Sequence, residues 1–136
     1  MASLDLPDSF TFLPIGWWDE ETELPFYAPR DPSHVSHSAL NLQGTDTFFL
    51  GKVNTVAALA RELGDDRIDI LKMDIEGAEI RVIESILTDG PWPRVLCIEF
   101  DQPQPISGFL RAVRSLRNHG YSVAKVEDWN VTFLRQ

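Results

Sequence analysis

The stretch IDILKMDIEGAE at residues 68–79 decides the fold of this chain. It begins as a run of Ile and Leu, places carboxylates at Asp74 and Glu76, and passes through Gly77 into a helical pattern. This order is typical of a buried strand that turns into a helix, the unit from which α/β sheets are built. Because alternate residues of a strand share a face, we expect Lys72, Asp74 and Glu76 to face the same side.

The same order places the two carboxylates where α/β proteins bind ligands. Ligands of open α/β sheets lie outside the carboxyl ends of the strands, so Asp74 and Glu76 are candidate catalytic or binding residues. Gly77 permits a sharp turn and a close approach of a ligand to the backbone. The alternative is that Glu76 and Glu79 stabilise the amino end of the following helix, and Glu79 fits this structural role better.

Length and composition favour a single domain over residues 1–136, because 43% of the 136 residues are hydrophobic and that is enough for one core. The net charge of −9 would repel phosphate backbones and anionic lipids, so nucleic acid and membrane partners are not expected. The chain shows neither a long apolar span nor a signal peptide, which predicts a cytoplasmic protein. Cys97 lies in an apolar run and is expected to be a buried small hydrophobe.

Two strand–helix units and a closing hairpin are predicted from Thr55 onward. Thr55 is a good N-cap, apolar residues follow at helical spacing, and Gly64 ends that helix. The later elements are strands over residues 68–74 and 94–100, helices over 78–88 and 107–119, and strands over 121–126 and 130–134. We therefore predict a mostly parallel α/β sheet with an antiparallel closing hairpin.

The first third of the chain is predicted to consist of strands and loops. The expected elements are strands over residues 9–17 and 24–27, a long loop over 28–44, and a strand over 47–53. The acidic turn at residues 19–21 would join the first two strands as a hairpin. Pro25 suits an edge strand, because proline cannot donate a hydrogen bond to a neighbouring strand.

Several stretches together resemble one family of enzymes. They are IDILKMDIEGAE, the upstream FLPIGWWDEETELPFYAP and HVSHSALNLQ, and the downstream VLCIEFD and NVTFL. These stretches are similar to the FkbM-type methyltransferases, and the resemblance covers residues 9–135. It implies a Rossmann-like class I methyltransferase sheet, S-adenosylmethionine as cofactor, and methylation of an oxygen atom on a small molecule or a glycan. The strands at 68–74 and 94–100 then resemble the fourth and fifth strands of that fold.

The chain departs from this family in its glycines. In such enzymes a glycine-rich loop after the first strand cradles the cofactor, whereas the eight glycines of this chain form no G-x-G. We therefore expect the chain to match the carboxyl-terminal two-thirds of the family's domain, lacking the N-terminal glycine-loop unit. It would be a fragment, a short homologue, or a half that a partner chain completes. A homodimer is one such expectation, since an incomplete sheet exposes a strand edge.

The resemblance implies roles for the residues at the strand ends. Asp74 and Glu76 would be catalytic, acting as general base or orienting the acceptor, while Asp74 and Gly77 would contact the cofactor. Lys72 is expected to form an ion pair with an acidic neighbour, with Glu99 on the next strand as the leading candidate. Glu99 is also a candidate substrate contact. The alternative function is a non-catalytic module that has lost cofactor binding and acts through protein–protein association.

A metal site is the third hypothesis for the same carboxylates. His34 and His37 are three residues apart, but without a third ligand nearby in sequence a polar loop is the favoured interpretation. We therefore predict no metal.

Overall fold

The computed structural model describes residues 7, 9–31, 33–34, 36–100 and 105–136. Along the chain its elements are β1 (Gly16–Trp17), β2 (Thr22–Tyr27), β3 (Phe48–Asn54), α1 (Val56–Leu63), β4 (Ile70–Met73), α2 (Glu79–Asp89), β5 (Val95–Glu99), α3 (Ile106–Asn118), β6 (Tyr121–Glu127) and β7 (Asn130–Arg135). From α1 onward every predicted element is present, with bounds that differ from the prediction by only a few residues.

The described strands form two mixed sheets, with orders β1-β3-β2 and β4-β5-β7-β6. The α/β class and the antiparallel closing hairpin of β6 and β7 are confirmed. The prediction of a mostly parallel sheet is wrong for these residues. Only the β1–β3 and β4–β5 ladders are parallel, and the other three are antiparallel.

The pairing of the first strands also differs from the prediction. β1 and β2 do not form a hairpin, because β3 lies between them and pairs with both. The first strand shrinks to Gly16–Trp17; Pro14 within the predicted run cannot donate a ladder hydrogen bond. The Trp18 N–H donates to the carbonyl of Asn54, the last residue of β3, at 3.0 Å. This bond extends the contact with β3 by one residue beyond β1. Pro25 lies on the edge strand β2, as predicted.

The two ends of helix α1 are set by local sequence. The Thr55 hydroxyl accepts a hydrogen bond from the Ala58 N–H at 3.0 Å, as an N-cap residue does. Gly64 ends the helix in the left-handed region at φ +76°. Both signals were predicted from the sequence and are confirmed.

The main core lies between one face of the second sheet and the helices α2 and α3. Side chains of β4 alternate in burial, with Leu71 and Met73 inward and Lys72 outward. The core also contains residues from the helices and the other strands, among them Val82, Ile83, Ile86, Leu96, Ile98, Leu116 and Phe133. Burial raises the pKa of Tyr121 to about 12, and its hydroxyl donates to the Pro93 carbonyl at 2.7 Å.

The opposite face of the second sheet is open. Ile70 on β4 is 67% exposed, and Leu134 on β7 is also exposed. Cys97 is half-buried on this face, which corrects the expectation that it is a buried core residue. The reason is register, since Cys97 pairs with the outward-facing Lys72 rather than with Leu71 or Met73. Among the described helices, none is long and apolar enough to cross a membrane.

Candidate functional site

The candidate site begins where β4 ends, in the turn formed by residues 74–78. Asp74 follows Met73 directly, and the backbone then becomes left-handed at two successive residues, Glu76 at φ +52° and Gly77 at φ +99°. A left-handed residue other than glycine costs roughly 1–2 kcal/mol, so the surrounding structure must hold Glu76 in place. Contacts with the rest of the protein therefore determine the conformation of this turn.

Asp74 is paired with Lys72 across one face of β4. The Lys72 Nζ lies 3.2 Å from the Asp74 Oδ2, and the two side chains are 63% and 45% exposed. The prediction that Lys72 pairs with an acidic neighbour is confirmed. The neighbour is not the candidate Glu99, because Lys72 is in register with Cys97 and Glu99 lies two residues further along β5. The shared face of Lys72 and Asp74 is confirmed. Such an exposed pair contributes at most about 1 kcal/mol to stability.

Lys72 and Asp74 open onto a cleft between the two sheets. The cleft has a volume of about 300 Å³, and it is lined by Ile15, Gly16, Trp17, Lys72, Asp74 and Ile75. β1 is the edge strand of the first sheet and β4 that of the second, so the cleft separates two strand edges. Trp17, which also packs against the main core, is the aromatic residue among those that line this cleft.

Glu76 lies elsewhere. It lines a separate cavity of about 40 Å³ together with Tyr27, Ser38 and other residues of the loop at 36–43. Its backbone carbonyl accepts a hydrogen bond from the Ser38 hydroxyl at 2.7 Å. The prediction that Glu76 shares a face with Lys72 and Asp74 is wrong, since β4 stops at Met73 and the left-handed backbone at Glu76 ends the alternation.

Gly77 has a left-handed backbone and also lies close to two leucine side chains. Besides its left-handed φ, a Cβ at this position would lie 3.3 Å from the Leu42 Cδ1 and 3.4 Å from the Leu40 Cδ1. The Gly77 N–H donates to the Glu79 Oε1 at 2.8 Å, and Glu79 is fully buried as the first residue of α2. The carboxylate of Glu79 thus supports the turn from within, in agreement with the structural role expected for it.

Sequence reasoning missed the loop that packs on this turn. Ser38, Leu40 and Leu42 belong to the stretch HVSHSALNLQ, which was expected to be a polar loop. The apolar residues at every second position after Ser38 were the available signal, because a loop exposed to water on all sides has no need of them.

A second cleft, of about 760 Å³, lies between α2 and the first turns of α3 and begins at Gly77. Four of its five charged lining residues form ion pairs: Arg81 Nη1 lies 3.0 Å from Asp19 Oδ2, and Arg111 Nε lies 3.7 Å from Glu84 Oε1. The Arg81 guanidinium also lies over the Trp18 ring, 4.8 Å from its centroid. The fifth charged residue, Asp89, leaves the lining with one more carboxylate than guanidinium groups.

The remaining sequence candidates do not line the cleft on which Asp74 opens. Glu99 is half-buried at the end of β5, opposite Asn130 of β7. It follows Ile98, the partner of Met73, so its backbone lies beside that of Asp74. The ring of His37 contacts Phe49, with 5.3 Å between centroids. In the part of the chain that the structure describes, no group of three His, Cys, Asp or Glu residues is arranged to hold a metal ion.

Comparison with known proteins assigns the chain to a family. The family described as the methyltransferase FkbM domain matches residues 5–123, most of the chain, and this range contains Lys72, Asp74, Glu76 and Gly77. The match ends within β6, so the stretch NVTFL on β7 lies outside it. No curated protein and no solved structure matches the chain significantly. The extent of the family match shows that the chain belongs to the FkbM methyltransferase family.

Proposed function

We propose that the chain is a methyltransferase-fold domain of the Rossmann-like class I type, which transfers a methyl group from S-adenosylmethionine to a hydroxyl oxygen of a small molecule or glycan. The observation that carries this proposal is the position of Asp74, whose carboxylate follows β4 directly and opens onto the cleft beside Trp17. Its context is the family match, which spans the whole turn.

The residues of this cleft suit the cofactor. S-adenosylmethionine supplies a methyl group on a positively charged sulfur. A carboxylate and an aromatic ring both attract such a cation, and Asp74 and Trp17 lie on the walls of one cleft. The volume of about 300 Å³ is at the lower end of the range of ligand pockets, roughly 300–1,000 Å³. Asp74 and Trp17 would hold the cofactor in this cleft, and Gly77, which lines the neighbouring cleft of about 760 Å³, would contact it through the backbone of the turn.

The chemistry that this chain adds is proton removal and orientation. Asp74 would accept the proton of the acceptor hydroxyl, which makes the oxygen a better nucleophile. The Lys72 ammonium would keep that carboxylate in one orientation through their 3.2 Å contact. Ile15 and Ile75 border the same cleft and would exclude water from it. Glu99, at the end of the neighbouring strand, would contact the acceptor. Glu76, in the turn, would be the second catalytic carboxylate.

Calorimetric titration with S-adenosylmethionine and S-adenosylhomocysteine tests the proposal. The wild-type chain is expected to bind both, and Asp74→Asn to weaken binding of the cation by about tenfold or more while methyl transfer falls roughly 10²–10⁴-fold, as on loss of a general base. Asp69→Asn is the matched control, because Asp69 pairs only locally with Arg67 at 3.4 Å. Absence of binding at millimolar ligand would contradict the proposal.

A second candidate function is a non-catalytic module that acts by protein–protein association, including a homodimer. It is favoured by the apolar side chains of Phe48 and Leu50, which share one face of β3 and are 54% and 64% exposed. Exposed apolar surface of this kind is typical of interaction sites. Light scattering over the micromolar range tests it. A dimer that disappears in Leu50→Lys supports association through this strand, and a monomer throughout contradicts a homodimer.

A further inference from the structure

We infer that Ser38 is a positioning residue, which sets the conformation of the Glu76–Gly77 turn and, through that turn, binding in the cleft beside β4. The second half of this inference rests on the proposed function. Ser38 is 38 positions away from Glu76 in the chain, yet its hydroxyl donates to the Glu76 carbonyl at 2.7 Å. The contact joins the loop at residues 36–43 to the turn that carries the candidate site.

The Ser38 hydroxyl has only one orientation that satisfies its neighbours. It accepts the Leu40 N–H at 3.0 Å and donates its single hydrogen to the Glu76 carbonyl. The backbone of Ser38 is fixed as well, since it exchanges two hydrogen bonds with Tyr27 at the end of β2, at 3.1 and 2.8 Å. The hydroxyl is therefore presented to the turn by a residue that is already anchored to the first sheet.

The turn requires such an anchor. Glu76 is left-handed at φ +52°, a conformation that a glutamate rarely adopts unless contacts enforce it. Fixing the Glu76 carbonyl also fixes the plane of the peptide that follows, because the carbonyl of Glu76 and the N–H of Gly77 belong to one planar unit. That N–H donates to the buried Glu79 at 2.8 Å. Ser38 and Glu79 thus hold the two ends of the same peptide group.

The loop adds a steric component to the hydrogen bond. Leu40 and Leu42 lie so close to Gly77 that a single added Cβ would come within 3.4 Å of both side chains. The loop therefore covers one side of the turn and leaves the side of Asp74 to face the cleft. Ser38 acts on the candidate site through the backbone of Glu76 and Gly77, with no contact to Asp74 required.

Hydrogen exchange of the Gly77 amide, measured by NMR, tests the first half of the inference. Ser38→Ala is expected to speed exchange at Gly77 roughly tenfold, the change that follows from the loss of one hydrogen bond in a local opening. Ser38→Thr keeps the hydroxyl and is expected to restore slow exchange. Ser33→Ala is the matched control, because the Ser33 hydroxyl bonds only locally to Asp31. Thr55→Ala removes a helix cap away from the turn and controls for general destabilisation.

Titration of the same variants with S-adenosylhomocysteine tests the second half. Ser38→Ala is expected to raise Kd roughly tenfold, with Ser38→Thr, Ser33→Ala and Thr55→Ala close to wild type. Unchanged exchange at Gly77 in Ser38→Ala overturns the inference outright. Faster exchange with an unchanged Kd overturns the link to the cleft. If the wild-type chain itself binds nothing, the proposed function fails and the link fails with it, while the exchange data still decide whether Ser38 holds the turn.

Discussion

The edge strands β2 and β4 differ in how well their free edges are protected from pairing with another chain. β2 carries Pro25 in its middle and the charged Glu23 two residues before it, and Tyr27 at its end is bridged to Ser38. Within the described residues β4 pairs only with β5, and its protection is limited to its short length and Lys72. Proteins usually block free edges against pairing with other chains. The contrast teaches that the less protected edge is the one that borders the cleft and Asp74.

The largest effect is expected at the turn beyond the exposed edge. Gly77→Ala should destabilise the protein by about 2 kcal/mol, because a φ of +99° lies beyond the left-handed region that residues with a side chain tolerate. Gly64→Ala is the control, since Gly64 is also left-handed but nothing lies within 4 Å of its added Cβ. It should cost about 1 kcal/mol. Urea denaturation measures both. Equal losses would show that the backbone at Gly77 is no more demanding than that at Gly64.

Removing the protection of β2 should promote association. Pro25→Val gives the edge strand a new outward N–H donor, and we expect self-association to strengthen about tenfold. Sedimentation velocity across a concentration series measures the change. Ile70→Lys is the converse variant, since it adds a second charge to β4 and should weaken any association through that edge. If Pro25→Val leaves sedimentation unchanged, the proline is not what protects β2.

The core at the other edge of the second sheet, beside β6, should respond to alkaline pH. The pKa of Tyr121 is raised by burial to about 12 from 10 when unfolded, so the unfolded chain releases this proton first as the pH rises. The stability that this group contributes is complete below pH 10 and is lost between pH 10 and 12. Tyr121→Phe should cost about 1 kcal/mol at pH 7, through the lost bond to Pro93, and lose less than wild type on going to pH 11. Urea titrations at both pH values measure this, and parallel losses would contradict it.

The smallest effect is expected from the remaining charge on β4. Lys72→Met removes the exposed ion pair with Asp74 and should change the free energy of unfolding by less than about 0.5 kcal/mol. Thermal unfolding followed by circular dichroism measures it. A loss above about 1 kcal/mol would mean that the pair holds the end of β4 together rather than only orienting the carboxylate.

Local signals predicted the fold from α1 onward because the elements there are marked in the sequence by residues that begin them, end them or set their buried face. Thr55 and Gly64 bound a helix, and the alternation of Leu71, Lys72 and Met73 sets which face of β4 is buried. Pairing in the first sheet could not be predicted in the same way. A two-residue strand such as Gly16–Trp17 has no period to detect, and its partner lies 37 residues later in register at Val53.

The candidate site was predictable only as far as β4 runs straight. Lys72 and Asp74 share a face because the extended backbone persists to the end of the strand. Glu76 leaves that face because a glutamate takes up a left-handed conformation, which residue type alone does not reveal. The contact that holds it, from Ser38, joins distant parts of the chain, and spacing rules describe only neighbours in sequence.

Cys97 gives this molecule a built-in reporter. It is the only cysteine in the chain, its thiol is half-buried on the open face, and it stands directly across from Lys72 in the ladder of β4 and β5. A fluorophore or spin label attached at that sulfur would need no engineered background. Its signal would report on the ladder of β4 and β5 next to Asp74. Ligand binding could then be followed by spectroscopy without an assay for the product.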